Sequence, residues 1–368
     1  METSNRNHGQ KESHSNSQDA ATQRQDVIDV LQSPFHEQLL CNSYCDLVNR
    51  IQPDGMFPES TTGAYNAMFC RTIGGLGRLF LATDNPEPIE RLLNYCFRTM
   101  SKTKMERVPH TIKDDYQTRI DDVDQIDGQA HVILAWALHM LENGPSPFLE
   151  QTYDTAAALM DRTSLPPYLS FFTRWRIEPG LVLNTNLEHS REHQYWHAYD
   201  FLTQSFVAAA LKAMRDVAIQ MQDQEHAEQW ESRLRKLEEN INSEMVREFE
   251  GQQIYTEMLL PTGRTPEVFP GISWLNLAPI PADWEGIDQK LFDQTINAWH
   301  KHAALSWNDL RVTVSDWSPE ERGNLIHTKV FGWDLVYLAR RGEWNRILDI
   351  LSFLEQVNGE GLPSEVFA

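Results

Sequence analysis

The sequence predicts an all-α fold in which two concentric layers of antiparallel helices form an α/α toroid. Apolar residues recur at helical spacing in about ten segments, which is more than a small bundle needs. Some of these segments have a single apolar stripe, whereas others are apolar on nearly every side. This contrast is expected when amphipathic outer helices surround buried inner ones.

The helical periodicity begins near Val27 and continues to the C-terminus. Residues 131–141 and 201–214 are apolar nearly all round, which is typical of helices buried on most sides. Residues 69–80 and 230–245 each carry one apolar stripe and predict amphipathic helices. Further helices are predicted at 36–50, 86–104, 146–163, 287–304, 324–341 and 344–357, and short strands at 252–259 and 310–317.

Composition along the chain predicts a tail followed by one domain. Residues 1–26 are polar and contain no large apolar residue after Met1. We expect this segment to be a disordered tail, because it cannot bury enough surface to offset the entropy of ordering. No Gly/Ser-rich linker divides residues 27–368, which we assign to a single toroid domain.

Charge and cysteine content exclude several classes of partner. The 32 Lys and Arg residues against 53 Asp and Glu give a net charge of −21, which repels phosphate backbones and anionic lipid. We therefore expect no nucleic-acid or membrane partner. The sequence shows no apolar run long enough for a membrane span and no apolar signal core. With only four cysteines, the composition favours a cytoplasmic protein with reduced thiols.

Candidate binding residues concentrate in four stretches that are rich in aromatic, charged and glycine residues. These stretches are residues 54–75, 121–131, 184–200 and 358–368. Each of the first three lies just before or at the start of a predicted helix. If those helices run the same way round a ring, their starts meet on one face. Carboxylates, an arginine and aromatic rings at one place suit a carbohydrate, which needs charged hydrogen-bond partners and stacking surfaces.

Four segments in these stretches resemble one enzyme family. They are YNAMFCRTIGG at 65–75, QIDGQAHVILAW at 125–136, NLEHSREHQYWHAYDFLTQSFVAAAL at 186–211 and GEGLPSEVF at 359–367. In order and spacing they are similar to the glucoamylase and glycogen-debranching-type glycoside hydrolases. The resemblance implies an (α/α)6 toroid, a six-hairpin-like barrel. It also implies an inverting, exo-acting glycosidase for an α-linked glucoside or mannoside, without cofactor or metal.

The resemblance also implies roles for single residues. Arg71 and Asp127 would contact sugar hydroxyls, although Thr72 stands where the family has an acidic residue. Glu188 would be the general acid, with Glu192 as the fallback. Glu365 would be the general base. A stacking surface for the sugar would come from Tyr195 or Trp196.

The implied mechanism needs two carboxyl groups on opposite faces of the sugar. Glu188 would protonate the leaving oxygen while Glu365 activates a water molecule, which requires the two carboxyls to lie about 6.5–9.5 Å apart. In the family a final helix follows the base, whereas this chain ends at Ala368. We therefore expect the chain to be a fragment that lacks the closing helix.

Other interpretations remain open from the sequence. The same toroid could host a sugar epimerase or polysaccharide lyase that uses His131, His189, His193 or Tyr199 for proton transfer. It could also be a non-catalytic toroid that binds a glycan or a protein. Residues 189–193 match the inverted zinc-protease pattern, with His197 one turn further on. Asp127, next to Gly128, could instead be an ordinary helix N-cap.

Overall fold

The computed structural model describes residues 8–60, 66–101, 106–109, 111–112, 125–164, 179–184, 197–320, 326–358 and 366–367. The chain forms two compact units. The larger unit contains residues 47–299 and 318–320, and the smaller contains residues 1–46, 300–317 and 321–368.

Helices dominate the described residues. The α-helices are α1 His8–Leu31, α2 Pro34–Arg50, α3 Cys70–Ala82, α4 Glu87–Met100, α5 Ile126–Asn143, α6 Pro147–Thr163, α7 Phe201–Gln220, α8 Gln224–Glu244, α9 Pro279–Ala282, α10 Gln289–His302, α11 Thr328–Arg341 and α12 Trp344–Asn358, with a 3₁₀ turn at Trp274–Leu277. Every helix predicted from apolar periodicity is confirmed, with ends that differ by a few residues.

Strands are short, with two to four residues each. They are β1 Met68–Phe69, β2 Thr111–Ile112, β3 Tyr199–Asp200, β4 Val246–Phe249, β5 Gln252–Tyr255, β6 Met258–Leu260, β7 Glu267–Val268, β8 Ile272–Ser273, β9 Ala304–Trp307, β10 Leu310–Thr313, β11 Asp316–Trp317, β12 Ile326–His327 and β13 Val366–Phe367. The predicted strand at 252–259 is divided into β5 and β6, and the strand predicted at 310–317 is divided into β10 and β11.

Three consecutive helical hairpins form the core of the larger unit. They pair α3 with α4, α5 with α6, and α7 with α8, and α5 packs against both α3 and α7. The helices α3, α5 and α7 therefore lie side by side as an inner layer. The helices α4, α6 and α8 cover them as an outer layer, as the sequence predicts.

Burial along each helix matches its layer. Every residue from Ile126 to Ala137 in α5 is buried, and so is every residue from Phe201 to Leu211 in α7. By contrast, α8 buries only a stripe at helical spacing, which consists of Ala227, Trp230, Leu234, Leu237 and Ile241. The all-round apolar segments are thus inner helices, and the striped segment is an outer one.

Glycines allow α3 and α5 to approach closely. A Cβ atom at Gly128 would lie 2.2 Å from Sγ of Cys70, and one at Gly77 would lie 2.7 Å from Cβ of Ala135. Neither distance is possible for a real side chain, so these positions need glycine for the helices to reach their observed separation.

Short and long connections lie at opposite ends of the hairpins. Residues 83–86, 144–146 and 221–223 join each inner helix to its outer partner. Much longer segments, residues 101–125 and 164–200, lead back to the next inner helix. Their described parts at residues 106–109 and 179–184 lie against the first turns of α5 and α7, and long connections on a rigid scaffold are the usual place for function.

The smaller unit combines helices with one tight hairpin. The helix α12 packs against α1, α11 and β10. Strands β9 and β10 pair through a turn at Asn308 and Asp309, which both have positive φ, the geometry that matches strand twist. The buried ring of Phe353 makes edge contacts with the buried Phe331 and with the exposed Trp307.

The first described helix begins within the polar N-terminal stretch, whose assignment as a disordered tail stays a prediction. Helix α1 begins at His8, inside the polar stretch, and Val27 near its end is 5% exposed. Helix α1 packs against α12 in the smaller unit. The assignment of residues 27–368 to a single toroid domain also stays a prediction.

Among the described helices, we find none that is long and apolar enough to cross a bilayer.

Candidate active site

The starts of α3 and α5 bring Arg71 and Asp127 into contact. Each is the second residue of its helix. Nε of Arg71 donates a hydrogen bond to Oδ2 of Asp127 at 2.6 Å. The carboxylate is fully buried, whereas the arginine side chain is 19% exposed. The pair therefore presents an arginine whose position is fixed and which a ligand can still reach.

Asp127 does not cap its helix. The N-cap of α5 is Gln125, which makes no side-chain cap hydrogen bond. Oδ1 of Asp127 instead accepts a hydrogen bond from Nδ2 of Asn184 at 3.1 Å. Oδ1 of Asn184 accepts the backbone N–H of Ile126 at 3.2 Å, which satisfies one of the free N–H groups at the helix start.

Asn184 also links this pair to the start of α7. Its backbone exchanges two hydrogen bonds with Ala198, at 2.9 and 3.1 Å, immediately before β3. Its side chain hydrogen-bonds Asp200, the N-cap of α7. Arg71, Asp127, Asn184 and Asp200 therefore form one polar network, the "helix-start network", across α3, α5 and α7.

Asp200 is a buried carboxyl group with a perturbed pKa. It accepts hydrogen bonds from the backbone N–H and the hydroxyl of Thr203, both at 2.7 Å. Burial raises the pKa of Asp200 to about 6, and the negative charge of Asp127 adds to this rise. The hydrogen bonds from Thr203 and Asn184 act in the opposite direction.

Two glutamines clamp the long loops onto the inner helices. Gln129 of α5 accepts the N–H of Val108 at 2.9 Å and donates to its carbonyl at 2.6 Å. Gln204 of α7 makes the same pair of bonds to Val182, at 2.9 and 2.8 Å. Each glutamine is the fourth residue of its helix. Val182 lies two residues before Asn184. Its hydrogen bonds to Gln204 therefore fix the backbone that leads into the helix-start network.

A third buried acid lies beside the start of α7. The backbone carbonyl of Glu257 accepts the N–H of Phe201 at 2.9 Å, and the residue is fully buried. The charge of Glu257 acts on Arg247 and opposes the burial that lowers the pKa of that arginine. Glu257 therefore adds a buried carboxyl group to the same end of the larger unit.

Cys70, directly before Arg71, does not have the properties of a nucleophile. Its side chain is fully buried, and burial raises the pKa of its thiol to about 12, with the charge of Asp127 adding to the rise. A thiol in this state stays protonated and unreactive at neutral pH.

The groups considered for an epimerase or lyase are only partly described. Tyr199 is 1% exposed and pairs with Leu259 between β3 and β6. His131 is buried one helical turn after Asp127. His189 and His193 lie outside the described residues.

The predicted acid–base pair also lies outside the described residues. This applies to the acid Glu188, its fallback Glu192 and the base Glu365, and equally to the stacking residues Tyr195 and Trp196. Their roles therefore stay predictions. Across the residues that the structure does describe, no group of three or more His, Cys, Asp or Glu side chains is arranged to hold a metal ion.

Sequence reasoning named Arg71 and Asp127 but missed their partners. Asn184 and Asp200 are the first and last residues of a stretch that the sequence singled out, yet neither was assigned a role. Asp200 carried a readable signal, because an aspartate directly ahead of an apolar helical run is a typical N-cap. Asn184 and the two glutamines act on residues far away in the chain, so no local pattern marks them.

The comparisons with known proteins identify the fold. A metal-independent α-mannosidase of Streptococcus pneumoniae, solved with α-1,6-mannobiose, superposes with a TM-score of 0.68 at 12% identity, covering 94% of this chain and 91% of that one. The chain has the (α/α)6 toroid fold. No family model matches the sequence, and no curated protein matches it either.

Two further structures agree on this fold. A bacterial glucoamylase complexed with acarbose gives a TM-score of 0.62 at 13% identity, covering 83% of this chain and 45% of the glucoamylase. An α-amylase of Clostridium perfringens gives 0.55 at 10% identity, covering 88% and 90%. The toroid predicted from the sequence and from the family resemblance is thus confirmed as a fold.

Proposed function

We propose that this protein is a glycosidase that binds the terminal residue of an α-linked glucoside or mannoside at the helix-start network. The observation that carries the proposal is the Arg71–Asp127 pair, which is held where the long loops meet the inner helices. Toroids host several chemistries, so the fold alone would not name a substrate. The solved structures with this fold supply support, because those compared above are described as a mannosidase, a glucoamylase and an amylase.

In the proposed mechanism, Arg71 donates hydrogen bonds to sugar hydroxyls, and Asp127 fixes its guanidinium by accepting from Nε. Glu188 protonates the leaving oxygen, and Glu365 activates a water molecule on the opposite face of the ring. This single displacement inverts the anomeric centre and needs no covalent intermediate. Tyr195 and Trp196 provide the stacking surface.

The proposal explains why Asp127 is buried and doubly hydrogen-bonded. A guanidinium held by a carboxylate keeps one orientation, so little side-chain entropy is lost when it binds a sugar. A helix N-terminus disfavours a positive charge, and the direct bond to Asp127 offsets that cost for Arg71.

The test is turnover by purified variants on a panel of 4-nitrophenyl α-glucoside, α-mannoside and the corresponding α-linked disaccharides. We expect Asp127→Asn to lower kcat/KM by roughly 10- to 100-fold, because a charge-assisted bond to Arg71 is replaced by a neutral one. Arg71→Gln is expected to lose at least as much.

Arg91→Gln is the matched control, because Arg91 pairs with Glu87 on the outer helix α4. Its kcat/KM should equal that of the wild type. Unchanged turnover in both Asp127→Asn and Arg71→Gln would contradict the proposed site.

A further inference from the structure

The packed faces of α3, α5 and α7 carry three successive layers of side chains. On α5, Asp127, His131, Leu134 and Leu138 follow one another at spacings of four, three and four, so they lie on one face of the helix. The first layer is the Arg71–Asp127 pair described above. The layers below it decide what lies beneath a ligand bound there.

The second layer is the ring of His131, which fills the space between α3 and α7. A Cβ atom at Gly74 of α3 would lie 2.6 Å from Nδ1 of this ring. On the other side, the ring of Phe206 of α7 lies 3.7 Å away between centroids, tilted by 33°. His131 thus contacts both neighbouring inner helices one turn below Asp127.

The third layer is a cavity of about 300 Å³ at the opposite end of the same helices. Leu134 and Leu138 contribute to its apolar wall, and Arg78 and Lys212 to its charged rim. His131 therefore separates this cavity from the Arg71–Asp127 pair.

His131 has unused hydrogen-bonding capacity. Its Nε2 atom is buried and has no hydrogen-bond partner among the described residues, and the whole residue is 7% exposed. Burial, reinforced by the charges of Arg71 and Arg78, keeps the pKa of His131 well below its usual value. The ring is therefore neutral, with one N–H donor and one acceptor nitrogen. An unsatisfied buried nitrogen is costly unless a ligand or a water molecule completes it.

We propose that His131 forms the floor of the substrate site and sets its specificity by hydrogen-bonding one hydroxyl of the terminal sugar through Nε2. A hydroxyl donates and accepts, so it suits either tautomer of a neutral imidazole. The proposal rests on the glycosidase function proposed above.

The first test is NMR on the wild-type protein with ¹⁵N-labelled histidine. Methyl α-glucoside or methyl α-mannoside, whichever binds, is titrated into the sample. We expect the Nε2 resonance of His131 to shift on binding while the ring stays neutral. An unchanged His131 resonance at saturating sugar would overturn the proposal.

The second test is calorimetric binding of the same methyl glycoside and its monodeoxy derivatives. His131→Leu should weaken binding of the parent sugar about tenfold or more, and one monodeoxy sugar should bind this variant and the wild type equally. His131→Gln, which keeps a hydrogen-bonding group, should recover part of the affinity.

His139→Leu is the matched control on the same helix. His139 is buried but hydrogen-bonds Glu90 and Asn143, so this change should leave sugar affinity unchanged. For each deoxy sugar, the loss of affinity relative to the parent sugar is measured with His131→Leu and with the wild type. If that loss is the same in both proteins for every deoxy sugar, His131 contacts no hydroxyl and the proposal is wrong.

The outcomes also separate this inference from the function on which it rests. If no methyl glycoside binds the wild type, the proposed function fails and the role of His131 fails with it. If the sugar binds the wild type and Arg71→Gln abolishes binding while His131→Leu does not, the function stands and only the role of His131 is refuted.

Discussion

At the scale of single residues, the helix-start network places buried carboxyl groups close together and stabilises them unequally. Asp127 is paired with an arginine, whereas Asp200 has only hydrogen bonds from neutral groups. The buried charge of Asp127 therefore disfavours ionisation of Asp200. This difference makes stability depend on pH in a direction that can be measured.

We predict that the free energy of unfolding of Asp200→Asn, relative to that of the wild type, increases progressively as pH rises from 4 to 7. The pKa of Asp200 is about 6 in the folded protein against an ordinary 3.8, so the folded state holds its proton more tightly. The protonated carboxyl of Asp200 therefore stabilises the folded protein below pH 4. This stabilisation, about 3 kcal/mol, is lost as pH rises through 6. Asparagine is also a good N-cap, so the helix start survives. Urea unfolding at several pH values measures the difference.

Asp223→Asn is the matched control for this prediction. Asp223 is also an N-cap, of α8, but the hydrogen bond from His226 lowers its pKa. The ionised Asp223 stabilises the folded protein above the ordinary pKa of an aspartate, and this stabilisation is lost only in stronger acid. The free energy of unfolding of Asp223→Asn should therefore not increase relative to the wild type as pH rises. The same upward trend in both variants would show that the shift at Asp200 is not the cause.

At the scale of elements, the same glutamine contact occurs on two inner helices, although the sequence shows no repeat of fixed length. Gln129 and Gln204 occupy equivalent positions in α5 and α7 and hold Val108 and Val182 in the same way. The inner helices begin at residues 70, 126 and 201, at unequal intervals, so no fixed period is visible. The repeat is one of three-dimensional structure.

We predict that Gln204→Met destabilises the protein by about 2–6 kcal/mol. Methionine fills a similar volume but leaves the buried N–H and carbonyl of Val182 without partners, and each loss costs about 1–3 kcal/mol. Gln220→Met, at the exposed end of α7, is the control and should be neutral. Equal free energies of unfolding for the two variants would mean that the clamp contributes little.

A pair of glycine substitutions tests the close approach of α3 and α5. Gly128→Ala should be destabilising, because its Cβ would overlap Sγ of Cys70 and force the helices apart. Gly75→Ala in α3, where a Cβ meets nothing within 4 Å, should stabilise by up to about 1 kcal/mol. Thermal unfolding measures both. Similar effects of the two changes would contradict the packing described.

At the scale of the whole molecule, the fold was readable from the sequence because its layers differ in burial. A helix buried on all sides and a helix buried on one stripe leave distinct patterns, as residues 131–141 and 230–245 do. Strands such as β1 and β3, with two residues each, are too short to leave a period. The polar stretch in which α1 begins has no apolar period either, and α12, which α1 contacts, lies at the far end of the chain.

The candidate site was readable only in part, for a related reason. Arg71 and Asp127 occur at helix starts, and the topology of a toroid brings such starts together. Their partner Asn184 lies in a long loop, where local sequence does not fix the conformation. The proposed acid Glu188 and base Glu365 come from the family resemblance.

The most direct test is proton NMR of the sugar released at early times from the α-linked substrate that the protein cleaves. The single displacement predicts that the first product has the inverted anomeric configuration, and that Glu365→Gln abolishes its release. Glu188→Gln should retain turnover only on substrates with good leaving groups, because those need no proton. A first product with retained configuration, or full turnover by Glu365→Gln, would contradict the account.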